Sequence, residues 1–242
     1  QYTQGKLNYS SDVYATPQMV MTIQAPNEEE LQKVVEENKE VILDFFTRAE
    51  MNRQIRLLEE KHDQNISSLV ASMFSSQVWV PGELRNVKTG EDFLWASNDA
   101  PTSNMNFVIY SFPYTDADTF TEEYFITKRD SVMKINIPGA KEGMYMKTDR
   151  FAVTTKPISV HGKYAFEARG LWRMEKDMMG GPFVSHMRLD ELNNRVIVAE
   201  IFIYSPDKLK RNLVRFMEAS LYTLKLPGEV LSSMEIQQGI NK

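Results

Sequence analysis

A recurring order of local patterns is the feature that most constrains the fold of this sequence. Strand-like runs, a proline and then an amphipathic helix follow one another three times along the chain. The prolines that precede the three helices are Pro26, Pro113 and Pro206. Because a hairpin pairs its strands antiparallel and a following helix covers the sheet, this order predicts the α+β class. We expect an antiparallel sheet built from hairpin-plus-helix units with helices packed on one face, rather than a doubly wound parallel sheet.

Start and stop signals give the approximate limits of the helices. Asn27 is a good N-cap for the first helix, and Thr119 with Glu122 has the spacing of a capping box for the second. The stretch 61–65 has no large apolar residue and contains good capping residues, which predicts a break followed by a short helix. The predicted long helices cover residues 28 to about 61, 122–135 and 207–224.

Composition limits the class of protein and of site. The 242 residues are 42% hydrophobic and 25% charged, which is typical of a globular chain, and we treat residues 1–242 as a single α+β region. A net charge of -5 argues against a protein held to nucleic acid by its phosphates. The absence of cysteine excludes disulfides, thiolate metal sites and cysteine nucleophiles. The three histidines share no ligand spacing, so we expect no histidine zinc site and no cofactor.

The spacings that mark common catalytic sites are missing. The sequence has no Gly-x-Ser-x-Gly elbow, no phosphate-binding Gly-x-x-x-x-Gly-Lys-Ser/Thr loop, no Gly-x-Gly-x-x-Gly after a strand and no His-Glu-x-x-His. This favours a binding protein over an enzyme.

Strand alternation suggests one cluster of charged residues. Charges fall on a single face of the run 165–174, and the runs 183–189 and 195–204 carry further polar residues inside apolar surroundings. In one register of a three-stranded meander these side chains share a surface. The candidate ligand-binding residues are Glu167, Arg169, Arg173, His186, Arg188 and Glu200.

Two interpretations of this cluster remain open. In the first, arginines and glutamates form a structural ladder of ion pairs beneath a loop or another segment. In the second, Arg169, Arg173 and Arg188 donate hydrogen bonds to an anionic or sugar-like ligand, with His186 and Glu200 beside them.

Glu200 is the most constrained member of the cluster. It lies in a run that is apolar on both faces, which predicts a central strand. A buried carboxylate needs a partner, because uncompensated desolvation costs several kcal/mol. We expect a bidentate arginine beside Glu200 and name Arg173 as the preferred partner.

Several longer segments carry a family resemblance. Segments 44–54, 137–146, 167–172 and 180–186, taken together, resemble a Bacteroidetes lipoprotein family of unknown function, domain-of-unknown-function family 4837. The resemblance covers nearly the whole chain and brings no known activity. It implies an N-terminal lipidated cysteine, an envelope location outside the cytoplasm and an upstream segment absent from this sequence. The chain would then be the C-terminal part of a larger mature protein, with apolar surface or an unpaired strand within residues 1–23.

The sequence and the resemblance together lead to a functional expectation. We expect a non-enzymatic, lipid-anchored envelope module that binds a ligand or a partner protein, binds no nucleic acid and meets the membrane only through its lipid. The alternative is a hydrolase of an envelope polymer that uses Glu200 or Glu167 as general acid or base, assisted by His186. Two carboxylates that open into one cleft would favour this alternative.

Overall fold

The computed structural model describes residues 2–232 and divides the chain into two compact units. The first is Gln1–Gln54 and the second is Ile55–Lys242. The single α+β region that the sequence predicts stays a prediction, and each unit is described by itself.

The first unit contains a hairpin, one complete helix and the larger part of a second helix, which continues into the second unit. Strands β1 (Lys6–Ser11) and β2 (Met19–Gln24) pair antiparallel, and helices α1 (Glu28–Glu37) and α2 (Lys39–Lys61) follow. Asn27 caps α1 as predicted, because its side-chain oxygen accepts a hydrogen bond from the Glu30 amide at 2.9 Å. The predicted single helix is interrupted at Asn38, whose side-chain amide donates to the Val34 carbonyl and competes with the helical backbone.

The hairpin of the first unit shows the features that the sequence predicts for residues 1–23. Within the described residues, β1 and β2 pair only with each other, so each strand has an open edge. Tyr9 is half exposed and Tyr14 is 83% exposed. An upstream segment as the cause of this exposure stays a prediction.

The second unit begins with the last residues of α2, continues with a short helix and is dominated by a large sheet. Asp63 caps the helix, as the predicted break requires, by accepting a hydrogen bond from the Ile66 amide at 2.8 Å. The elements of this unit are α3 (Gln64–Phe74), β3 (Asn86–Gly90), β4 (Phe93–Ser97), β5 (Asn104–Pro113), α4 (Glu122–Asn136), β6 (Met146–Val160), β7 (Lys163–Met174), β8 (Gly180–Asp190), β9 (Arg195–Tyr204) and α5 (Arg211–Tyr222).

The sheet has seven antiparallel strands in the order β3-β4-β5-β9-β8-β7-β6. Strands β3 to β5 form one meander and β6 to β9 form a second, and the central pair β5–β9 joins them. This confirms the α+β class and the antiparallel sheet.

The helices lie on both faces of the sheet, whereas the sequence analysis places them on one. On β9, Val196 and Val198 belong to the same apolar core as Phe125 of α4. Ile197 and Ile201 of the same strand belong to the core that α3 and α5 complete. The central strands are apolar on both sides, so each side must be covered.

Helix α4 starts at Glu122 as predicted but has another cap, and helix α5 starts later than predicted. Thr121, not Thr119, caps α4 and accepts a hydrogen bond from the Tyr124 amide. Helix α5 begins at Arg211, because Asp207 has a φ of 58° and this left-handed conformation prevents a helix from continuing out of Pro206. Among the described residues, no helix combines the length and apolar character needed to cross a bilayer.

Candidate functional site

A cavity of about 780 Å³ opens at one end of the seven-stranded sheet. The turn between β6 and β7, the loop between β8 and β9, and the segment that follows α5 form its walls. This size falls in the range of small-molecule sites. Its lining residues are Phe120, His161, Lys163, Tyr164, Arg188, Leu189, Asp190, Glu191, Leu192, Lys225, Leu226, Gly228, Glu229 and Ser232.

Arg188 is the buried cation of this cavity, with only 1% of the residue exposed. Strand β8 points it to the face that α5 covers, and its Nη1 donates to the Leu224 carbonyl at 2.7 Å. Its Nη2 donates to Glu229 Oε1 at 2.5 Å and to the Val160 carbonyl at 3.4 Å. The Nε atom is buried without a hydrogen-bond partner among residues 2–232. One donor of the guanidinium is therefore unsatisfied by the described part of the protein.

His161 lies in the tight turn that closes the β6–β7 hairpin. It has a φ of 52° and Gly162 a φ of 74°, the pair of positive values that a two-residue hairpin turn needs. Burial lowers the pKa of His161 below its usual value, although Glu229 acts in the opposite direction. The imidazole is therefore neutral at pH 7 and can donate or accept a hydrogen bond within the cavity.

The charges of the lining are partly compensated. Asp190 is paired with Arg195 at 2.9 Å, and Glu229 is paired with Arg188. Lys163 and Lys225 form no ion pair within residues 2–232. A negatively charged ligand group would meet two uncompensated lysines, whereas Glu191 is the single lining acid outside the described ion pairs. The remaining wall is largely aromatic and aliphatic.

Of the six residues predicted as a site, only Arg188 lines the cavity. Glu167 and Arg169 lie together on the same face of the sheet, with His186 next to Glu167. Arg173 is exposed at the other end of β7, opposite Gly180. Glu200 lies on the opposite face of the sheet. Ligand binding by the other five residues stays a prediction.

Glu167 belongs to a buried network between the sheet and α5. Arg169 donates to Glu167 through Nε at 2.7 Å and Nη2 at 2.8 Å, and to Glu218 of α5 through Nη1 at 3.1 Å. Lys156 Nζ lies 3.4 Å from the Glu167 carboxylate. Burial alone would raise the pKa of Glu167, but the 3.4 Å contact with His186 and the hydrogen bonds and positive charge of Arg169 outweigh burial and lower it well below its usual range. This geometry is that of the structural ion-pair interpretation.

His186 adds an unusual feature to this network. Its Nε2 is 3.4 Å from Glu167 Oε2, and neither ring nitrogen makes a well-formed hydrogen bond with the described residues. The ring packs edge-on against Tyr222, with centroids 4.9 Å apart. A long contact to a carboxylate and an aromatic neighbour hold His186 in place, and both imidazole and carboxylate are closed off from solvent.

Glu200 has the bidentate arginine partner that the sequence predicts, but the arginine is Arg129 of α4, not Arg173. Arg129 Nε lies 3.1 and 2.9 Å from the two carboxylate oxygens, and its Nη2 lies 2.6 Å from Oε1. Ser185 also donates to Glu200, and Thr148 accepts from Arg129 Nη1 at 2.9 Å. Both side chains of the pair are fully buried. The desolvated pair holds α4 against the sheet.

The prediction places Glu200 on the wrong face of the sheet because of a one-residue error in the register between β8 and β9. Strands β8 and β9 pair so that Glu200 is opposite Ser185 and His186 is opposite Ala199. A surface shared by Glu200 and His186, as predicted from the sequence, requires a register such as Glu200 opposite Val184, in which both side chains lie on one face. Because side chains alternate between faces, a slip of one residue moves Glu200 to the other side of the sheet.

Arg129 carries a signal that the sequence analysis missed. It falls on the helix face of Phe125 and Met133, at the spacing i, i+4, i+8, and all three are buried. An arginine inside an apolar helix stripe indicates a buried acidic partner.

The described residues offer no grouping of metal ligands. Within residues 2–232, no three His, Asp or Glu side chains are close enough together to hold a metal ion.

Comparison with protein families gives two matches. A family described as Domain of unknown function (DUF4837) matches residues 63–223, which is most of the chain. A second family, described as Domain of unknown function (DUF8532), matches residues 1–59. The border between the two matches lies close to the division of the structure after Gln54. A search of curated proteins gives no match.

Proposed function

Because the chain belongs to the DUF4837 family, whose description names no activity, we propose a function from the geometry: a non-enzymatic module that binds a small anionic ligand in the end cavity. The observation that carries this proposal is the buried guanidinium of Arg188, which lines the cavity with its Nε unsatisfied by residues 2–232. A carboxylate or phosphate oxygen is the natural acceptor for such a donor.

The rest of the lining supports a ligand with an anionic group and an apolar part. Lys163 and Lys225 add positive charge beside Arg188. Phe120, Leu192 and Leu226 supply apolar wall that a hydrocarbon or ring could cover. Neutral His161 can donate one further hydrogen bond that fixes the orientation of the ligand.

The hydrolase alternative has less support. Glu167 and Glu200 lie on opposite faces of the sheet and are at most 1% exposed, so they do not open into one cleft. His186 is also buried, on the face of Glu167. A substrate would have to displace α4 or α5 to reach either carboxylate.

The cellular location is proposed on the family resemblance alone. We place the protein in the cell envelope, outside the cytoplasm, held by an N-terminal lipid. Fractionation of the native protein tests this: recovery in membranes that only detergent releases supports it, and recovery in the soluble cytoplasmic fraction contradicts it.

A thermal-shift screen tests ligand binding. Aliphatic carboxylates, phosphate esters and their neutral amide or alcohol analogues would be compared, because a ligand at 100 times its Kd adds about 2.7 kcal/mol of stability. We expect at least one anionic compound to raise the melting temperature and its neutral analogue to have no effect.

A matched pair of variants locates the site. Lys163→Gln with Lys225→Gln removes two cations from the cavity, and Arg85→Gln with Lys88→Gln removes two exposed cations near β3. The first variant should lose most of the shift and the second should keep it. An equal shift in both variants, or an equal response to the neutral analogues, would contradict the proposal.

A further inference from the structure

Two apolar side chains are fully exposed at the end of the sheet away from the cavity. Met178, in the loop 175–179 between β7 and β8, is 99% exposed. Leu209, in the loop 205–210 between β9 and α5, is 96% exposed. The cavity is formed around the opposite ends of these strands, so this feature is separate from the proposed ligand site.

The two loops leave neighbouring strands side by side. Strands β8 and β9 are paired in a register that places Phe183 opposite Phe202, and adjacent strands lie about 4.8 Å apart. Beneath the loops, Trp172 donates through Nε1 to the Ile203 carbonyl at 3.2 Å. Residues 175–179 and 205–211, with Arg173 at the end of β7, therefore leave the same end of the sheet side by side, and together we name them the tip surface.

Cations surround the two apolar side chains. Arg173, Lys176, Lys208 and Arg211 are all exposed, and none of them forms an ion pair within the described part of the chain. Glu175 is paired with Lys147, which leaves Asp177 and Asp207 as the acids of this surface outside ion pairs. The tip surface is therefore positive on a protein whose net charge is -5.

The stability of α5 does not explain the basic residues Lys208 and Arg211. The first turn of α5 contains no acidic residue, and its N-cap residue Lys210 makes no side-chain capping bond. Lys208 and Arg211 instead place positive charge where the helix dipole favours negative charge. Their positions are unfavourable for the isolated fold and favourable towards an external anion.

We propose that the tip surface docks onto an anionic membrane, with Met178 and Leu209 inserted between lipid headgroups and the four cations against lipid phosphates. Basic residues near a bilayer are attracted to anionic lipids, and apolar side chains beside them add insertion energy. Two separate apolar side chains with cations around them can insert into a fluid headgroup layer. An interface with a protein partner usually has a wider, closely packed apolar core. The nearby acids and the net charge disfavour a nucleic acid.

Vesicle binding measures this interaction directly. The intact chain would be sedimented with vesicles of phosphatidylcholine and phosphatidylglycerol in a 7:3 ratio and with vesicles of phosphatidylcholine alone, at 0.1 and 0.5 M salt. We expect binding to the anionic vesicles, weakened at the higher salt by screening, and little binding to the neutral ones.

Variants connect the binding to the tip surface. Lys208→Glu with Arg211→Glu should weaken binding at least about 25-fold, since each cation near an anionic bilayer contributes about fivefold. The same reversal at Arg85 and Lys88 changes the net charge equally and should leave binding within about threefold of wild type. Met178→Ser with Leu209→Ser should also weaken binding without changing the melting temperature, because both side chains are exposed.

The melting temperature of the charge-reversal variant controls for unfolding. Acidic residues at the start of α5 favour its dipole, so the Lys208→Glu, Arg211→Glu variant should melt no lower than wild type. Equal binding to neutral vesicles, or unchanged binding by this variant, would overturn the proposal. Binding to a DNA duplex as tight as to anionic vesicles at the same salt would also overturn it and assign the surface to nucleic acid.

Discussion

Removal of the Glu200 carboxylate is the sharpest perturbation that the structure offers. Glu200→Ala takes away every carboxylate contact of Arg129, three nitrogen–oxygen contacts of 2.6 to 3.1 Å, and leaves the guanidinium fully buried. Thr148 and Met146 remain beside it without negative charge, and the Asp130 carboxylate accepts a hydrogen bond from Thr148 without a direct ion pair to Arg129 among the described residues. Loss of one partner from a buried ion pair costs about 3 to 5 kcal/mol, a large part of the 5 to 15 kcal/mol that is typical of a whole protein.

Urea unfolding followed by circular dichroism measures this cost. The slope m for urea is about 1 to 3 kcal/mol per M, so even the steepest slope requires the midpoint to fall by at least about 1 M. Glu123→Ala is the matched control, because it removes an exposed partner of Arg150 at 3.1 Å and should cost less than about 1 kcal/mol.

A double variant separates the loss of the pair from the burial of a lone charge. Arg129→Met with Glu200→Leu removes both charges, so most of the stability lost in Glu200→Ala should return. If Glu200→Ala lies within 1 kcal/mol of wild type, as the Glu123→Ala control should, the reasoning is refuted, because the guanidinium would then find water or another acceptor at little cost.

Three further perturbations have definite expected outcomes. Asp63→Ala removes the N-cap of α3 and should lower the free energy of unfolding by about 0.5 to 2 kcal/mol, measured in urea at pH 7. Gly181→Ala would bring a Cβ into collision with the Ile203 carbonyl oxygen and should lower the free energy of unfolding by about 1 to 3 kcal/mol. An unchanged free energy of unfolding would contradict this prediction. Because the pKa of folded Glu167 is lowered, its stabilisation is fully present above the unfolded pKa of about 4.3 and is lost as the pH falls. The difference in unfolding free energy between wild type and Glu167→Gln should therefore narrow from about pH 5 downward, and a constant difference would contradict this.

Local patterns in the sequence predict most of the secondary structure. The hairpin-plus-helix order gives the antiparallel sheet, and Asn27 starts its helix as predicted. These features depend on residues close in sequence, where periodicity and capping act directly. The helix interruption at Asn38 and the start of α5 are exceptions, and the second depends on the left-handed backbone of Asp207, which Ser-Pro spacing does not reveal.

Contacts between strands are harder to predict, because they depend on loop length. The β8–β9 loop contains residues 191–194, which pairs Asp190 with Arg195. An error of one residue in the predicted length of this loop shifts the register of β9 against β8. The side chains of β9 then exchange faces, and Glu200 is placed on the wrong side of the sheet. The cavity escapes prediction for a similar reason: His161, Arg188 and Lys225 come from three segments that only the tertiary fold brings together.

Ion pairs between helix and sheet occur on both faces of the sheet. They fix the positions of the helices more closely than apolar packing alone. Burial of apolar surface is non-directional, whereas an arginine–carboxylate pair fixes distance and orientation. Arg129 joins α4 to Glu200 on one face, and Arg169 joins the sheet to Glu218 of α5 on the other. The segment that follows α5 in turn presents the Leu224 carbonyl to Arg188. The Arg169–Glu218 pair does not line the cavity but still contributes to its shape, because it fixes the helix from which one wall of the cavity continues.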